Sequence, residues 1–234
     1  VMEIPAGITL GYRPSAPHVE IKLFARGNAA IKQLPAFIQN VKDAIGTAVV
    51  TENRPSIAQA VHELLLDKKL SLSIAESCTG GMLTNQLIEF SGSSNYLHQG
   101  LVTYSNQAKQ NILGISNDTL ETHGAVSIET AKAMAKNVRA LGDSDYGLAT
   151  TGVAGPDGGS EEKPVGTVCI ALASRQRCWV QTIQLKNRSR TIVRTMSCAV
   201  ALDMLRRAIL SEESSEEVIV PYSFIPCTDC LIEN

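Results

Sequence analysis

From residue 54 onward, short apolar runs alternate with stretches of helical spacing, and no other feature of the sequence restricts the fold as much. Strands are predicted near residues 71–75, 99–104, 145–151, 165–173 and 178–185, and helices near 80–90, 106–113, 128–141 and 190–210. Strand and helix in turn give an α/β fold, here a three-layer α/β/α sandwich. The last two strands are joined only by a turn around Ser174 to Arg177. That is too short for a crossover, so they pair antiparallel and make a mixed sheet of about five strands. A chain of 234 residues with 44% apolar content buries one sizeable core with room for a small second one.

The first fifty residues follow a different pattern. Val19-Glu-Ile-Lys-Leu23 alternates as a half-buried strand does, one of two short strand-like runs. A helix is predicted from Ala30 to about Ile45, with Ile31, Leu34, Ile38, Val41 and Ile45 on its apolar stripe despite Pro35, and the apolar run Thr47 to Thr51 follows. Residues 1–53 therefore read as a small α+β module whose abrupt start and marginal core suit a chain beginning within a larger architecture. Arg54-Pro-Ser56 opens a new helix, with Ser56 as its cap and Ile57, Val61, Leu64 and Leu65 on its buried face. Residues 54–212 form the main domain. An acidic break, Ser211 to Glu217, introduces the tail, residues 213–234, which carries no order that the sequence specifies.

The formal charge of -2 comes from interspersed signs without a basic stripe, so nucleic acid is not the expected partner. The longest apolar run, Val168 to Ala173, is too short to span a bilayer, and the amino terminus does not read as a leader; a cytoplasmic protein is expected. Six irregularly spaced cysteines do not make a disulfide framework, and Cys227-Thr-Asp-Cys230 stands without a second pair or a nearby histidine. Reduced thiols and no metal are expected.

Three stretches carry groups capable of chemistry. Ala75-Glu-Ser-Cys-Thr-Gly-Gly81 falls on a strand-to-helix turn at the carboxyl edge of the sheet, where ligands of open α/β sheets collect. Gly80 and Gly81 let backbone approach a ligand, and N–H groups of the first helical turn can hold an oxyanion. A helix capped at a tight turn is the plain alternative. Gly100-Leu-Val-Thr-Tyr-Ser-Asn-Gln-Ala-Lys109 is a second strand entering a helix, with Lys109 in the first turn. The helix dipole and any burial push that ammonium toward its neutral, basic form. Tyr104 supplies a hydroxyl nearby. The third stretch, Thr150 to Gly166, has five glycines in seventeen residues and can offer several N–H donors, although it matches neither a Walker loop nor a dinucleotide fingerprint.

His98 and His123 are the histidines of this region and both fall in loop-like segments, so a cysteine–histidine pair is poorly served. A serine–lysine pair, Ser77 with Lys109, is the more economical reading. Cys78 is second, and Thr79 reads as a helix cap. Asp157, Glu161, Glu162 and Lys163 lack the histidines and carboxylate spacing of a metal site. Arg188, Arg190 and Arg194 gather at the start of the last helix. Arg190 and Arg194, one turn apart, can hold a phosphate or simply face solvent.

These residues resemble a known family. The AESCTGG stretch, Gly92-Ser-Ser94, Gly100 to Ser105 with Asn106 and Lys109, His123-Gly-Ala-Val-Ser127, and Thr151 to Thr167 are similar to the CinA carboxy-terminal domain, the nicotinamide mononucleotide deamidase PncC, over roughly residues 54–212. The first fifty residues resemble the KH-type linker module of longer CinA proteins. The resemblance implies hydrolysis of nicotinamide mononucleotide to nicotinate mononucleotide and ammonia, without metal or cofactor, by a protein that assembles as a homo-oligomer. Carried over position by position, it makes Ser77 the nucleophile, Lys109 its base and Tyr104 a supporting hydrogen-bond partner. Glu76, Cys78, Thr79, Gly80 and Gly81, with Thr151, Gly152, Gly155, Pro156, Asp157, Gly158 and Gly159, surround the substrate. Two other functions compete with this one. In the first, a non-catalytic nucleotide-binding module, Ser77 only caps a helix. The second is a nucleic-acid-linked role, weakened by the lack of a G-x-x-G loop in residues 1–53.

Overall fold

The computed structural model describes residues 2–52, 56–214 and 227–233, which fall into two compact units within Val1–Asn53 and Arg54–Asn234. In the first unit, β1 (Ile8–Ser15) and β2 (His18–Ala25) form an antiparallel hairpin with Ile8 opposite Ala25, and α1 (Asn28–Ile45) packs on it. The buried line of α1 is Ala30, Leu34, Phe37 and Val41 against Ile8, Leu23 and Ala25. The predicted stripe is therefore rotated: Ile31 is 56% exposed. The hairpin takes the face centred on Phe37, the largest apolar side chain of the helix, because that face removes the most apolar area from water.

The second unit begins with α2 (Ile57–Lys68), whose cap Ser56 accepts a hydrogen bond from Gln59 N at 3.2 Å. Its sheet contains β3 (Leu72–Glu76), β4 (Leu97–Val102), β5 (Tyr146–Gly152), β6 (Thr167–Ala173), β7 (Cys178–Gln184) and β8 (Cys227–Glu233), in the order β4-β3-β5-β6-β7-β8. Five of these lie within two residues of the predicted strands. The sixth comes from the tail, which therefore has order that the sequence reading missed. β8 pairs antiparallel with β7, Cys178 opposite Glu233. Residues 215–226, including the end of the acidic break, lie outside the described residues.

β3 runs parallel to β4 and β5, while β6 and β7 continue antiparallel, so the sheet is mixed. Alternation sends Ala75, Ala149, Ala171 and Val180 to one face, where α6 (Ile128–Leu141) buries Ala131, Met134, Ala135 and Val138 against them. α4 (Asn106–Leu113) and α5 (Asn117–His123) pack beside α6. The other face carries Ile74, Leu148 and Leu172 and is covered by α7 (Arg190–Ser214), against which α2 and α3 (Met82–Ile88) lie. Helices on both faces make the three-layer sandwich. Small residues beneath α6 let that helix sit close to the sheet, while larger aliphatic side chains fill the space beneath α7.

The three parallel strands end together at Glu76, Val102 and Gly152, and β6 begins at that edge. Three loops therefore converge there: 77–81, 103–105 and 153–166. Among the described residues no helix is long and apolar enough to cross a membrane.

Candidate active site

Strand parity divides the first of these loops. Glu76 shares a face with Leu72 and Ile74 and turns toward α3, while Ser77 follows Ala75 toward the layer of α4 and α6. Ser77 is held at the strand end by its own N–H, which donates to Thr150 O at 2.9 Å, and its side chain is buried. Across from it, Ser105 caps α4 through Ala108 N and fixes the helix so that Lys109 reaches back over the first turn. Lys109 Nζ lies 3.1 Å from Ser77 Oγ, 2.8 Å from Thr103 O and 3.3 Å from Tyr104 O.

The lysine is 1% exposed and forms no ion pair with a carboxylate among the described residues. Burial therefore lowers its pKa below the ordinary lysine range, opposed only by the neighbouring Cys78. A neutral amine has two N–H bonds and one lone pair. With its hydrogens on the carbonyls of Thr103 and Tyr104, that lone pair faces Ser77 Oγ and can accept the hydroxyl proton.

The Cys78 thiol is pushed up to about 12, chiefly by burial. At neutral pH it is un-ionised and a poor nucleophile, which separates it from Ser77. Thr79 does not cap α3: the cap position is Gly81, and the Thr79 hydroxyl pairs with Thr150 Oγ1 at 2.6 Å in full burial. Glu76 does not face the pocket either. Its fully buried carboxylate accepts from Gly81 N, Leu83 N, Thr84 N and Thr84 Oγ1 at 2.7–3.0 Å. Those bonds consume the amides expected to hold an oxyanion.

Ser77 N, Gly80 N and Met82 N donate to the carbonyls of Thr150, Ser77 and Thr79. Between Ser77 and Thr84 only the N–H groups of Cys78 and Thr79 have no acceptor among the described residues, apart from the sulfur of Cys78 itself. Two adjacent unspent amides beside a serine are the donor set that an acyl-transfer oxyanion requires. Gly80 and Gly81 make this turn possible, with φ of 58° and 90°, where a side chain would be strained.

The other two loops are tied to this one by α7. Arg194 Nη2 donates to Thr79 O at 2.7 Å. Arg190 Nη1 donates to Gly155 O at 2.8 Å, and its Nη2 to Tyr104 Oη at 3.3 Å. The Tyr104 hydroxyl thus meets Arg190 instead of the serine–lysine pair, which it supports through its main-chain carbonyl. Thr151 is buried with its hydroxyl on Ala125 O at 2.6 Å, and Gly152 continues β5 opposite Val168, so both shape the strand end and neither presents a side-chain donor. Gly155 meets α7 through its carbonyl, Gly159 packs on Val165, and Asp157 and Gly158 are exposed, with Pro156 between them and the strand. Lys163 Nζ donates to His123 O at 2.6 Å and anchors the far limb of the loop to the end of α5. The site residues missed from sequence, Thr103 and Thr150, act mainly through carbonyl oxygens, for which residue type gives no signal.

Fold and geometry together define a class, an α/β sandwich with a buried serine–lysine pair at the carboxyl edge of its parallel strands. Comparison with known proteins narrows it. A family model described as the CinA C-terminal domain matches residues 54–209. The CinA-like protein of Shewanella frigidimarina (strain NCIMB 400) is 58% identical over 223 residues, covering 95% of this chain and 52% of that protein. The CinA-like protein of Shewanella baltica (strain OS155 / ATCC BAA-1091) is 57% identical over 224 residues, with 96% and 52% covered. Among solved structures, the competence/damage inducible protein CihA from Agrobacterium tumefaciens aligns with a TM-score of 0.63 at 36% identity, over 68% of this chain and 99% of that one. A CinA superfamily protein from Klebsiella pneumoniae aligns with a TM-score of 0.62 at 31% identity, over 64% and 93%. The chain belongs to the CinA family of competence/damage-inducible proteins, and it spans about half the length of the curated relatives it matches.

Proposed function

We propose that the second unit is a serine amidohydrolase that converts nicotinamide mononucleotide to nicotinate mononucleotide and ammonia. The observation that carries the chemistry is Lys109 Nζ, buried, 3.1 Å from Ser77 Oγ, with two carbonyls to take its hydrogens. The choice of substrate rests on the resemblance of the motifs to the deamidase family.

In the first step Ser77 Oγ attacks the carboxamide carbon as its proton passes to Lys109 Nζ, and the N–H groups of Cys78 and Thr79 hold the oxyanion. Collapse breaks the C–N bond. Lys109 returns the proton to the leaving nitrogen, so ammonia departs and an ester remains on Ser77. Neutral Lys109 then takes a proton from water, whose oxygen attacks the ester carbon; the C–Oγ bond breaks, that proton passes to Ser77 Oγ, and the product acid loses the water's second proton to solvent and leaves as the carboxylate. Arg190 and Arg194 have donors beyond those given to Gly155 and Thr79, and they are the proposed partners of the substrate phosphate. Cytoplasmic location, homo-oligomeric assembly and a linker role for residues 1–53 belong to the same proposal.

The test is release of ammonia and nicotinate mononucleotide by wild type, Ser77→Ala, Cys78→Ala and Lys109→Ala, each in EDTA. Turnover by wild type and Cys78→Ala, with at least about 10³-fold loss in the other two, supports the proposal. A folded wild type that binds the nucleotide without turning it over would replace it with a binding module.

A further inference from the structure

We infer that Glu76 is a positioning residue for the oxyanion donors, a role that rests on the serine–lysine reading above. Its carboxylate is fully buried one residue before Ser77, a costly place for a charge unless every lone pair is occupied. Here they are: Oε2 accepts from Gly81 N and Leu83 N, both at 3.0 Å, and Oε1 from Thr84 N at 2.8 Å and Thr84 Oγ1 at 2.7 Å.

Two consequences follow from this arrangement. The carboxylate fixes the spacing between the end of β3 and the start of α3, so the intervening turn has one path and the N–H groups of Cys78 and Thr79 meet no acceptor among the described residues beyond the sulfur of Cys78 itself. It also occupies the first-turn amides of α3, which would otherwise compete with Cys78 and Thr79 for the developing negative charge at a second, unproductive place. Thr84 is locked in turn, since its side chain lies directly against Gly100 of β4. Glu76 touches neither Ser77 Oγ nor Lys109 Nζ, so it acts on the reaction only through the backbone.

Glu76→Gln keeps the shape but puts an NH₂ against N–H groups that need an acceptor. Thr84→Val removes only the hydroxyl bond and leaves the carboxylate in place. For both variants, kcat and KM for the nucleotide are measured together with the rate at which a sulfonyl fluoride labels Ser77, located by peptide mass mapping. The expected result for Glu76→Gln is a loss of about 10²-fold in kcat with KM within about threefold, matched by a similar loss in labelling rate, as for removal of an oxyanion donor. Thr84→Val loses less than about tenfold in both. Unchanged kcat and labelling in a folded Glu76→Gln protein would overturn the positioning role, as would a change confined to KM. Should wild type itself fail to label at Ser77, the nucleophile assignment falls first and takes the positioning role with it.

Discussion

In the proposed reaction a single proton on Lys109 divides the active from the inactive state of the site. Burial lowers its pKa, so the folded protein gives up that proton below the usual lysine value of about 10.4 that holds in the unfolded chain. Activity is therefore expected to rise with pH through the lowered pKa and then level, because in this mechanism only the neutral amine accepts the Ser77 proton. The same shift has a stability consequence. Between the folded and unfolded pKa values the unfolded chain binds more protons, so this residue's contribution to stability grows as pH rises through that window. Cys78 and Cys198 work in the opposite sense, since burial raises both thiols and the folded state holds their protons above pH 9 while the unfolded chain releases them. Lys109→Met is thus expected to abolish turnover yet melt no lower than wild type at pH 7, with any advantage shrinking toward pH 10. Lys109→Arg keeps a permanent charge and is expected to be inactive at every pH. A marked drop in melting temperature for Lys109→Met at neutral pH would contradict a net cost of burying this amine without a carboxylate partner.

At the level of elements, much of the fold was legible because strands buried on both faces read as continuous apolar runs and several helices announce themselves with serine caps. Ser105, Ser116 and Ser127 each accept a hydrogen bond from an amide three residues on. α5 was missed although Ser116 caps it, because it is short and buries only Leu120. β8 escaped because its sequence, CTDCLIE, lies beyond an acidic break and lacks an apolar alternation. The resemblance puts Glu76 at the substrate, whereas the parity of β3 places it with Ile74 on the α3 side and Ser77 on the other. Layer packing gives the clearest prediction at this scale. A Cβ on Gly147 would run into the carbonyl oxygen of Ala135 and the Cβ of Arg139, because α6 crosses β5 at backbone contact. Gly147→Ala is expected to lower unfolding free energy by about 1–3 kcal/mol in denaturant titration. A change below about 0.5 kcal/mol would show that α6 shifts without cost.

Across the whole molecule, every side chain assigned a part in the chemistry comes from the second unit, brought together from α4, α7 and three loops at one sheet edge. The sequence specified this edge because parallel strands must end where the next helix begins, and the polar, glycine-rich Thr150–Gly166 stretch has no place inside a sandwich except at such a rim. It did not specify which amides stay unspent, since that depends on where the buried Glu76 carboxylate places its bonds. In the proposed mechanism Ser77 becomes acylated during turnover. This step is tested most directly by mixing enzyme with nicotinamide mononucleotide, quenching in acid within the first turnover, and mapping peptide masses. An ester-linked nicotinate mononucleotide is expected on the peptide carrying Ser77, present in wild type and Cys78→Ala and missing in Ser77→Ala. An adduct on Cys78, or full turnover with no adduct at any time point and undiminished activity in Ser77→Ala, would contradict it.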